Sequence, residues 1–263
     1  MTSSLLALTA IASPAQATYT PPEGDAPSGS TVAGGSRTGC DASSSLPATP
    51  LAPVAHIGQS ATNTPTLAWF VTATAPYRVK VSLYQRDSNQ QLEEVYTEIR
   101  IDEQGGVGSL TLPEEMPLAD GEDYSWLVAI GCDIENPRYT ITMTSNLHIA
   151  VPDELVIAEI DTALTATNSD TERADVYASR AYWFDALNEL MSGRHGNIAA
   201  HDDIAALLNQ LGNLEVAVTD PAAELHGANL LKIADALAEG LLTTEDLQNT
   251  PSSNNQTYFE PRL

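Results

Sequence analysis

The feature that most constrains the fold is a series of short segments between residues 67 and 151 with the composition of β-strands. They are rich in β-branched and aromatic residues, and turn residues such as Gly121 separate them. In one of them, Val79, Val81 and Leu83 alternate with polar residues, so that one face is apolar. The pattern predicts an antiparallel β-sandwich. The predicted strands are Leu67 to Thr72, Tyr77 to Arg86, Glu93 to Ile101, Val107 to Leu112, Asp123 to Cys132 and Tyr139 to Val151.

The stretch from Pro117 to Cys132 makes this prediction more specific. Leu118, Gly121 and Tyr124 follow one another at intervals of three residues, as in the tyrosine corner of fibronectin type III modules. There a tyrosine hydroxyl bonds back to the turn before it, so the sandwich is predicted to be immunoglobulin- or fibronectin III-like. The predicted structural core residues are Trp69, Tyr124, Trp126 and Trp183. A glycan-stacking surface is the alternative for Trp69 and Trp126.

After Val151 the apolar period changes from two residues to between three and four, which indicates helices. We predict helices from about residue 153 to 167, from 171 to 191, and from His201 to a terminating Gly212, with a further amphipathic segment from Leu230 to Leu241. The predicted fold class is therefore α+β, with an N-terminal antiparallel β-sandwich followed by a C-terminal helical bundle.

Composition divides the chain into five predicted regions. A signal peptide occupies residues 1–17, and a flexible arm rich in Pro, Gly and Ser occupies residues 18–64. The β-sandwich domain spans residues 65–151, a helical region packed on it spans residues 152–247, and a polar tail spans residues 248–263.

The first residues have the pattern of an export signal. Leu5 to Ala12 is an apolar core of suitable length, and Ala15-Gln16-Ala17 is the small-x-small pattern that precedes cleavage. No Lys or Arg precedes Leu5, which departs from the usual basic start. We expect cleavage after Ala17, export to the periplasm or the extracellular space, and no transmembrane segment.

Export decides how the two cysteines are interpreted. Cys40 and Cys132 are the only cysteines, and in an oxidising compartment one disulfide is the simplest arrangement for them. Two unpaired buried thiols are the alternative.

The charge excludes whole classes of partner. The chain has 35 acidic and 11 basic residues, a net charge of −24. Nucleic acid and anionic lipid both need a basic surface, so neither is an expected partner. The same acidity is also typical of a protein that stays hydrated in salty surroundings.

No group of residues forms a recognisable catalytic, cofactor-binding or metal-binding motif, and we assign no residue to those roles. Gly34 to Cys40 lacks the lysine of a phosphate-binding loop. His195, His201, Asp202 and Asp203 lack metal-ligand spacing, and Asp202 and Asp203 fit a helix start better. Asp120, Glu122 and Asp123 lack the carboxylate ladder of a calcium loop. We therefore expect no cofactor and no enzymatic activity.

A set of landmarks occurs in a fixed order along the chain. The landmarks are Gly34-Gly35-Ser36-Arg37-x-Gly39-Cys40, Pro65-Thr66-Leu67-x-Trp69-Phe70, Val81-Ser82-Leu83-Tyr84, Pro117-Leu118, Tyr124-x-Trp126, Cys132-Asp133, Trp183-Phe184-Asp185-Ala186-Leu187 and Leu207-Leu208-x-x-Leu211-Gly212. In this order they resemble a secreted cyanobacterial family catalogued as uncharacterised-domain family 928. The resemblance covers roughly residues 34 to 221 and implies export and a sheet unit followed by helices. It implies no activity and no site residues.

These observations favour a non-enzymatic interaction or adhesion-accessory module of the cell envelope, which meets a protein or a glycan through an exposed sheet edge or loops. One alternative is a self-assembling structural subunit, a homo-oligomer that inserts its N-terminal arm into a neighbour's sheet. The other alternative is a hydrolase with a carboxylate site.

Overall fold

The computed structural model describes residues 18–22, 40, 46–86, 91–136, 138–139, 141–192 and 199–240. The predicted signal peptide, the glycine-rich residues before Cys40, His195 and the predicted polar tail lie outside the described residues. Within the described residues the fold is mixed α+β, with two sheets that do not close into a barrel and five helices.

The strands form a three-stranded and a five-stranded sheet. The strand orders are β1-β3-β6 in the smaller sheet and β2-β8-β7-β4-β5 in the larger one. The strands are β1 (Thr49–Pro50), β2 (Gly58–Ser60), β3 (Thr66–Val71), β4 (Tyr77–Arg86), β5 (Leu92–Glu103), β6 (Gly106–Thr111), β7 (Asp123–Gly131) and β8 (Ile141–Ile149). The helices are α1 (Glu154–Thr165), α2 (Asp170–Ala178), α3 (Trp183–Ser192), α4 (Ala199–Val216) and α5 (Pro221–Ala238).

The six predicted strands correspond to β3 to β8, with small differences at their ends. Side-chain alternation matches burial over much of β4, β7 and β8, whereas β3 is buried at every position. In β4, Val79, Val81 and Leu83 are buried, and Lys80 between them is half-exposed. β7 lies between β4 and β8 and pairs antiparallel with both, which makes it the centre of the larger sheet.

The six predicted strands pair with one another only in the antiparallel sense, and β2, which lies before the predicted sandwich, adds one parallel pair with β8. The prediction of a flexible arm is wrong for residues 46–64, where β1 and β2 lie and where Leu51, Ala52 and Val54 are buried. The segment is rich in small Ala, Thr and Pro residues, so its composition resembles that of a linker. In the fold several of these residues are buried, and side chains from distant elements form hydrogen bonds with their backbone groups.

The predicted long helix from residue 171 to 191 is two helices, α2 and α3. They are separated at Ala181, whose φ of 72° is left-handed and rarely adopted by a residue with a side chain. The break turns α3 so that the indole of Trp183 is buried and its Nε1 donates to the carbonyl of Leu51, 2.9 Å away. Tertiary bonding at Trp183 thus prevails over the local helical pattern.

Gly212 does not end the third predicted helix, since α4 continues to Val216. A methyl group at Gly212 would lie 3.0 Å from the carbonyl oxygen of Gly227 in α5, and one at Gly227 would lie 2.6 Å from that of Gly212. The two glycines therefore let α4 and α5 cross in close contact. The last predicted helix likewise begins earlier than expected, at Pro221 after the N-cap Asp220.

One hydrophobic core includes side chains from both sheets and from α2 to α5. Trp69, Trp126 and Trp183 are 0% exposed and Tyr124 is 4% exposed, so none of these rings offers a face to a glycan. The Tyr124 hydroxyl accepts a hydrogen bond from the backbone N–H of Ala119, 3.0 Å away. The predicted hydrogen bond between the Tyr124 hydroxyl and the turn before it is therefore present.

The predicted disulfide between Cys40 and Cys132 is confirmed, with the two Cα atoms 5.2 Å apart. Cys132 directly follows β7, so the bridge joins Cys40 to the end of the central strand of the larger sheet.

We predict that Cys40→Ser and Cys132→Ser each lower the free energy of unfolding by the same amount. The bridge closes a loop of 92 residues, for which the chain-entropy model gives about 4 to 5 kcal/mol. Because the two thiols form one bond, the double variant should lose no more than either single variant. Chemical denaturation of the three variants and the wild type measures this, and additive losses would contradict it.

Candidate functional site

The long strand β5 forms one edge of the five-stranded sheet. It has 12 residues and pairs antiparallel with β4 from Tyr77 opposite Glu103 to Arg86 opposite Leu92. An edge strand presents alternate backbone N–H and C=O groups away from its single neighbour, and these groups can pair with an added strand. Sequence analysis predicted the strand but not its position at the edge, which depends on the pairing of β4 with β7.

The side chains of β5 that face away from the core are partly aliphatic. Ile99 lies opposite Lys80, on the face that alternates with the buried residues of β4, and Ile101 follows on the same side two residues later. Their exposed fractions are 49% and 55%, and Leu92 at the start of the strand is 54% exposed. Ile99 and Ile101 are neighbours on this face, whereas Leu92 lies at the other end of the strand, beyond Thr97 and Glu94. A partner strand can cover the exposed pair Ile99 and Ile101.

The other face of β5 is held in place by hydrogen bonds. Arg100 donates from Nε to Glu98, 2.6 Å away, and from Nη1 to the carbonyl of Ser109 in β6, 2.8 Å away. The Tyr96 hydroxyl donates to the same Glu98 carboxylate at 2.5 Å. Burial and the Glu98 carboxylate raise the pKa of Tyr96, so its hydroxyl remains a donor. This face ties β5 to its own chain and leaves the outer face available.

The charge of β5 is acidic. The strand carries five acidic side chains and one arginine. Glu94 is shared between Lys80, 3.4 Å away, and the Tyr84 hydroxyl, 3.2 Å away. Burial raises the pKa of Glu103, and Arg100 partly offsets that effect. The remaining acidic groups repel a second copy of the same strand and attract a basic one.

A separate cluster of buried ionisable side chains lies where α4 and α5 contact the loop before β2. Glu215 of α4 accepts hydrogen bonds through Oε1 from the N–H groups of Val54 at 2.6 Å and Ala55 at 3.0 Å. His226 of α5 donates from Nε2 to the carbonyl of Ala52, 3.0 Å away. The two helices therefore hold this loop through side chains bonded to its backbone.

Burial shifts both pKa values in the direction that favours the neutral form of each side chain. It raises the pKa of Glu215 from 4.5 to about 7, with a smaller contribution from Asp220, against the opposing effect of the two backbone N–H groups. It lowers the pKa of His226 to about 4. Among the described residues, Oε2 of Glu215 and Nδ1 of His226 have no hydrogen-bond partner.

A hydroxyl group on which Glu215 acts electrostatically is that of Tyr19, which lies 2.7 Å from Nε2 of His56. A tyrosine activated for catalysis needs a lowered pKa. Burial and the nearby Glu215 instead raise the pKa of Tyr19, and burial lowers the pKa of His56 to about 4. The pair therefore forms a neutral hydrogen bond that suits packing rather than proton transfer.

Three acidic residues considered from the sequence are bonded within the chain. Asp120 accepts from the N–H of Val151 at 2.9 Å, and Asp123 lies 2.7 Å from Nδ1 of His148. Asp203 accepts from the Thr171 hydroxyl at 2.7 Å. His201 is buried in α4. In the part of the chain that the structure describes, no three His, Cys, Asp or Glu side chains are grouped to hold a metal ion.

One more buried acid was not singled out from the sequence. Asp185 of α3 accepts from the N–H of Ala61 at 2.7 Å, and burial raises its pKa to about 6. Like Glu215, Asp185 is a helical side chain that accepts a hydrogen bond from a backbone N–H group of an earlier loop. In both cases the only indication in the sequence was an acidic residue within an apolar helical stripe.

None of the helices within the described ranges has both the length and the apolar composition that crossing a membrane requires.

We predict that Glu215→Gln removes a pH dependence of stability. Between pH 4.5 and 7 the folded wild type keeps the Glu215 proton, which the unfolded chain has lost, so stability falls as the pH rises. Glutamine stays neutral and still offers a carbonyl oxygen to Val54 and Ala55. Relative to the wild type, the variant should gain roughly 3 kcal/mol between pH 4.5 and 8.5.

Urea unfolding at several pH values measures this gain. Glu224→Gln, at an exposed position on α5, gives the baseline for the loss of one carboxylate. A constant difference between Glu215→Gln and the wild type over this range would show that Glu215 is ionised in the folded protein.

Comparison with known proteins identifies the family. No curated protein matches the chain. Among the solved structures that match is one described as "Structure of Astrotactin-2, a conserved vertebrate-specific and perforin-like membrane protein involved in neuronal development". The identity is 13%, the TM-score is 0.23, and the match covers 69% of this chain and 34% of that one. The chain spans about a third of that protein. The model of the family described as Domain of Unknown Function (DUF928) matches residues 32–221, well over half of the chain, so the chain belongs to the DUF928 family.

Proposed function

We propose that this chain is an exported, non-enzymatic interaction module of the cell envelope that binds an extended segment of a partner protein along β5. The partner segment adds to the sheet edge as a further strand and carries basic residues alternating with aliphatic ones. The edge position of β5, with Ile99 and Ile101 exposed beside it, is the observation that carries this proposal.

Charge favours a basic partner over a second copy of the chain. The net charge is −24, and β5 has five acidic side chains against one arginine. Two such surfaces repel each other, whereas a strand with alternating Lys or Arg gains ion pairs and covers Ile99 and Ile101 at the same time. A protein is favoured over a glycan because the unpaired groups of an edge strand are spaced for a polypeptide backbone.

The proposal includes an immunoglobulin- or fibronectin III-like arrangement of the two sheets, with the helices as a bundle packed on them. The tyrosine corner of Tyr124 and the core shared by both sheets support it. The parallel pairing of β2 with β8 is an addition to that arrangement.

The proposal also includes export to the periplasm or the extracellular space of a cyanobacterial cell. The disulfide between Cys40 and Cys132 supports it, since such bridges persist in oxidising compartments. The leader pattern that ends at Ala17 points the same way.

The two alternatives have weaker support. A self-assembling subunit would donate its N-terminal arm, but β1 and β2 of that arm pair with β3 and β8 of the same chain. A hydrolase needs a carboxylate that reaches its substrate. The two most perturbed carboxylates, Asp185 and Glu215, are buried and accept bonds from backbone N–H groups.

We predict that a synthetic peptide of five Lys-Val repeats binds the chain and that Ile99→Lys combined with Ile101→Lys weakens binding at least tenfold. The two lysines remove aliphatic contact and repel the peptide, which together amount to roughly 1.4 kcal/mol or more. Isothermal titration calorimetry measures the affinity, and amide NMR shifts should identify β5 as the binding strand.

Two controls separate strand addition from charge attraction. Leu155→Lys changes the charge at a side chain of α1 that is 78% exposed and should leave the affinity close to that of the wild type. The same peptide with proline at its central valine cannot complete the strand pairing and should bind much more weakly. Equal affinity of all variants, equal binding of the proline peptide, or glycan binding that the β5 variants do not alter would contradict the proposal.

A further inference from the structure

Three consecutive backbone N–H groups at the start of the described chain are bonded to two helices. The Thr18 nitrogen donates to Oδ1 of Asp175 in α2 at 2.7 Å, and the Tyr19 nitrogen donates to Oε1 of Gln210 in α4 at 2.8 Å. The Thr20 nitrogen donates to the carbonyl of Ala178 at 3.1 Å. Residues 18–22, which we call the N-terminal segment, are thus fixed at successive positions to the helical region.

The side chain of Tyr19 anchors the N-terminal segment in the core. It is 5% exposed. Its ring packs edge-on against Trp183 with centroids 5.0 Å apart, and stacks on His56 at 5.7 Å. Its hydroxyl also bonds Nε2 of His56. Burial of a tyrosine with a bonded hydroxyl contributes on the order of 2 kcal/mol to stability, so this segment is part of the folded structure.

Thr18, the first residue of the N-terminal segment, is also the residue that would begin the chain after cleavage at the predicted export site. Ala15-Gln16-Ala17 is a small-x-small sequence, and the predicted cleavage lies between Ala17 and Thr18. A leader peptidase would hydrolyse this peptide bond with one water molecule. The C–N bond breaks, Ala17 keeps the carboxylate, and the nitrogen of Thr18 takes up protons and becomes an ammonium group.

We infer that Asp175 is the receptor for the α-ammonium group of the mature chain, which begins at Thr18. The nitrogen that cleavage charges is the one that lies 2.7 Å from the Asp175 carboxylate. Cleavage at this bond converts a hydrogen bond between an amide and a carboxylate into an ion pair at the same two atoms. The inference rests on the export part of the proposed function and is independent of β5.

Cleavage at a neighbouring bond would not give the same contact. Each residue left before Thr18 keeps its nitrogen an uncharged amide, and removal of Thr18 places the charge at Tyr19, whose nitrogen bonds the neutral amide oxygen of Gln210. Before cleavage only the Asp175 carboxylate is charged, whereas cleavage at Thr18 gives both partners opposite charges, and the bond from Tyr19 to Gln210 has no charge on its acceptor. The position of Asp175 therefore distinguishes one cleavage product from the others.

The first experiment determines the terminus. The full chain of 263 residues is expressed in a bacterial host that exports it, and the periplasmic protein is analysed by N-terminal sequencing and intact mass. The expected sequence is Thr-Tyr-Thr-Pro-Pro. Any other terminus in the exported protein overturns the inference, and retention of the uncleaved chain in the cytoplasm overturns the export part of the proposed function.

The second experiment tests Asp175. The chain that begins at Thr18 is prepared with a free or an acetylated terminus, each with and without Asp175→Asn, and the folded-to-unfolded ratio is measured in urea at low salt and pH 6.5. Asp175→Asn should lower this ratio by a factor of roughly two to five more in the free form than in the acetylated form. Equal losses in the two forms overturn the inference.

Asp235→Asn, at an exposed position on α5, is the matched control and should give equal losses in both forms. The wild type alone provides a further test that does not depend on Asp175→Asn, because acetylation of its terminus should lower the folded-to-unfolded ratio by a similar factor. Binding of the Lys-Val peptide to the same free-terminus protein reports on β5 separately, so that either proposal can fail without the other.

Discussion

The interaction on which the rest of the structure depends is the attachment of the loop from Leu51 to Ala55 to the helices. This loop is buried and has little regular pairing, so its backbone groups need partners from elsewhere. Trp183, Glu215 and His226, from three different helices, supply them. Without these bonds several buried N–H and C=O groups would be left unsatisfied, at a cost of about 1 to 3 kcal/mol each. The contact between the sheets and the helices therefore depends on buried polar side chains as well as on apolar packing.

This attachment explains which parts of the fold could be predicted from the sequence. The strands from β3 to β8 were predictable from their β-branched and aromatic composition. In β4, β7 and β8 side-chain alternation, which follows from strand geometry itself, was a second signal. The corner at Tyr124 was predictable because it is a short local motif. The pairing of Cys40 with Cys132 was predictable because the chain has only two cysteines. The loop before β2 was not, because its small residues carry no periodic pattern and its partners lie about 130 to 175 positions away along the chain.

The helical boundaries failed for a related reason. Glycine is typical of a helix end, but Gly212 lies inside α4, where it lets the helix contact Gly227 of α5. No residue near Gly212 in the sequence indicates that contact. At Ala181 a left-handed residue separates two helices that share one apolar pattern, because Trp183 must reach Leu51. The same limitation applies to the candidate site. Sequence showed that β5 is a strand, whereas its place at the sheet edge is a property of the strand order.

The acidic composition has different physical consequences in the interior and at the surface. Inside, Asp185 and Glu215 act as acceptors for backbone N–H groups, and burial favours their neutral forms. At the edge, the acidic side chains of β5 oppose pairing with a second copy of the chain while leaving Ile99 and Ile101 uncovered. An edge that exposes aliphatic side chains without such charge would be prone to aggregate. If β5 binds a partner strand as proposed, the charge that opposes pairing with a second copy also favours a basic partner.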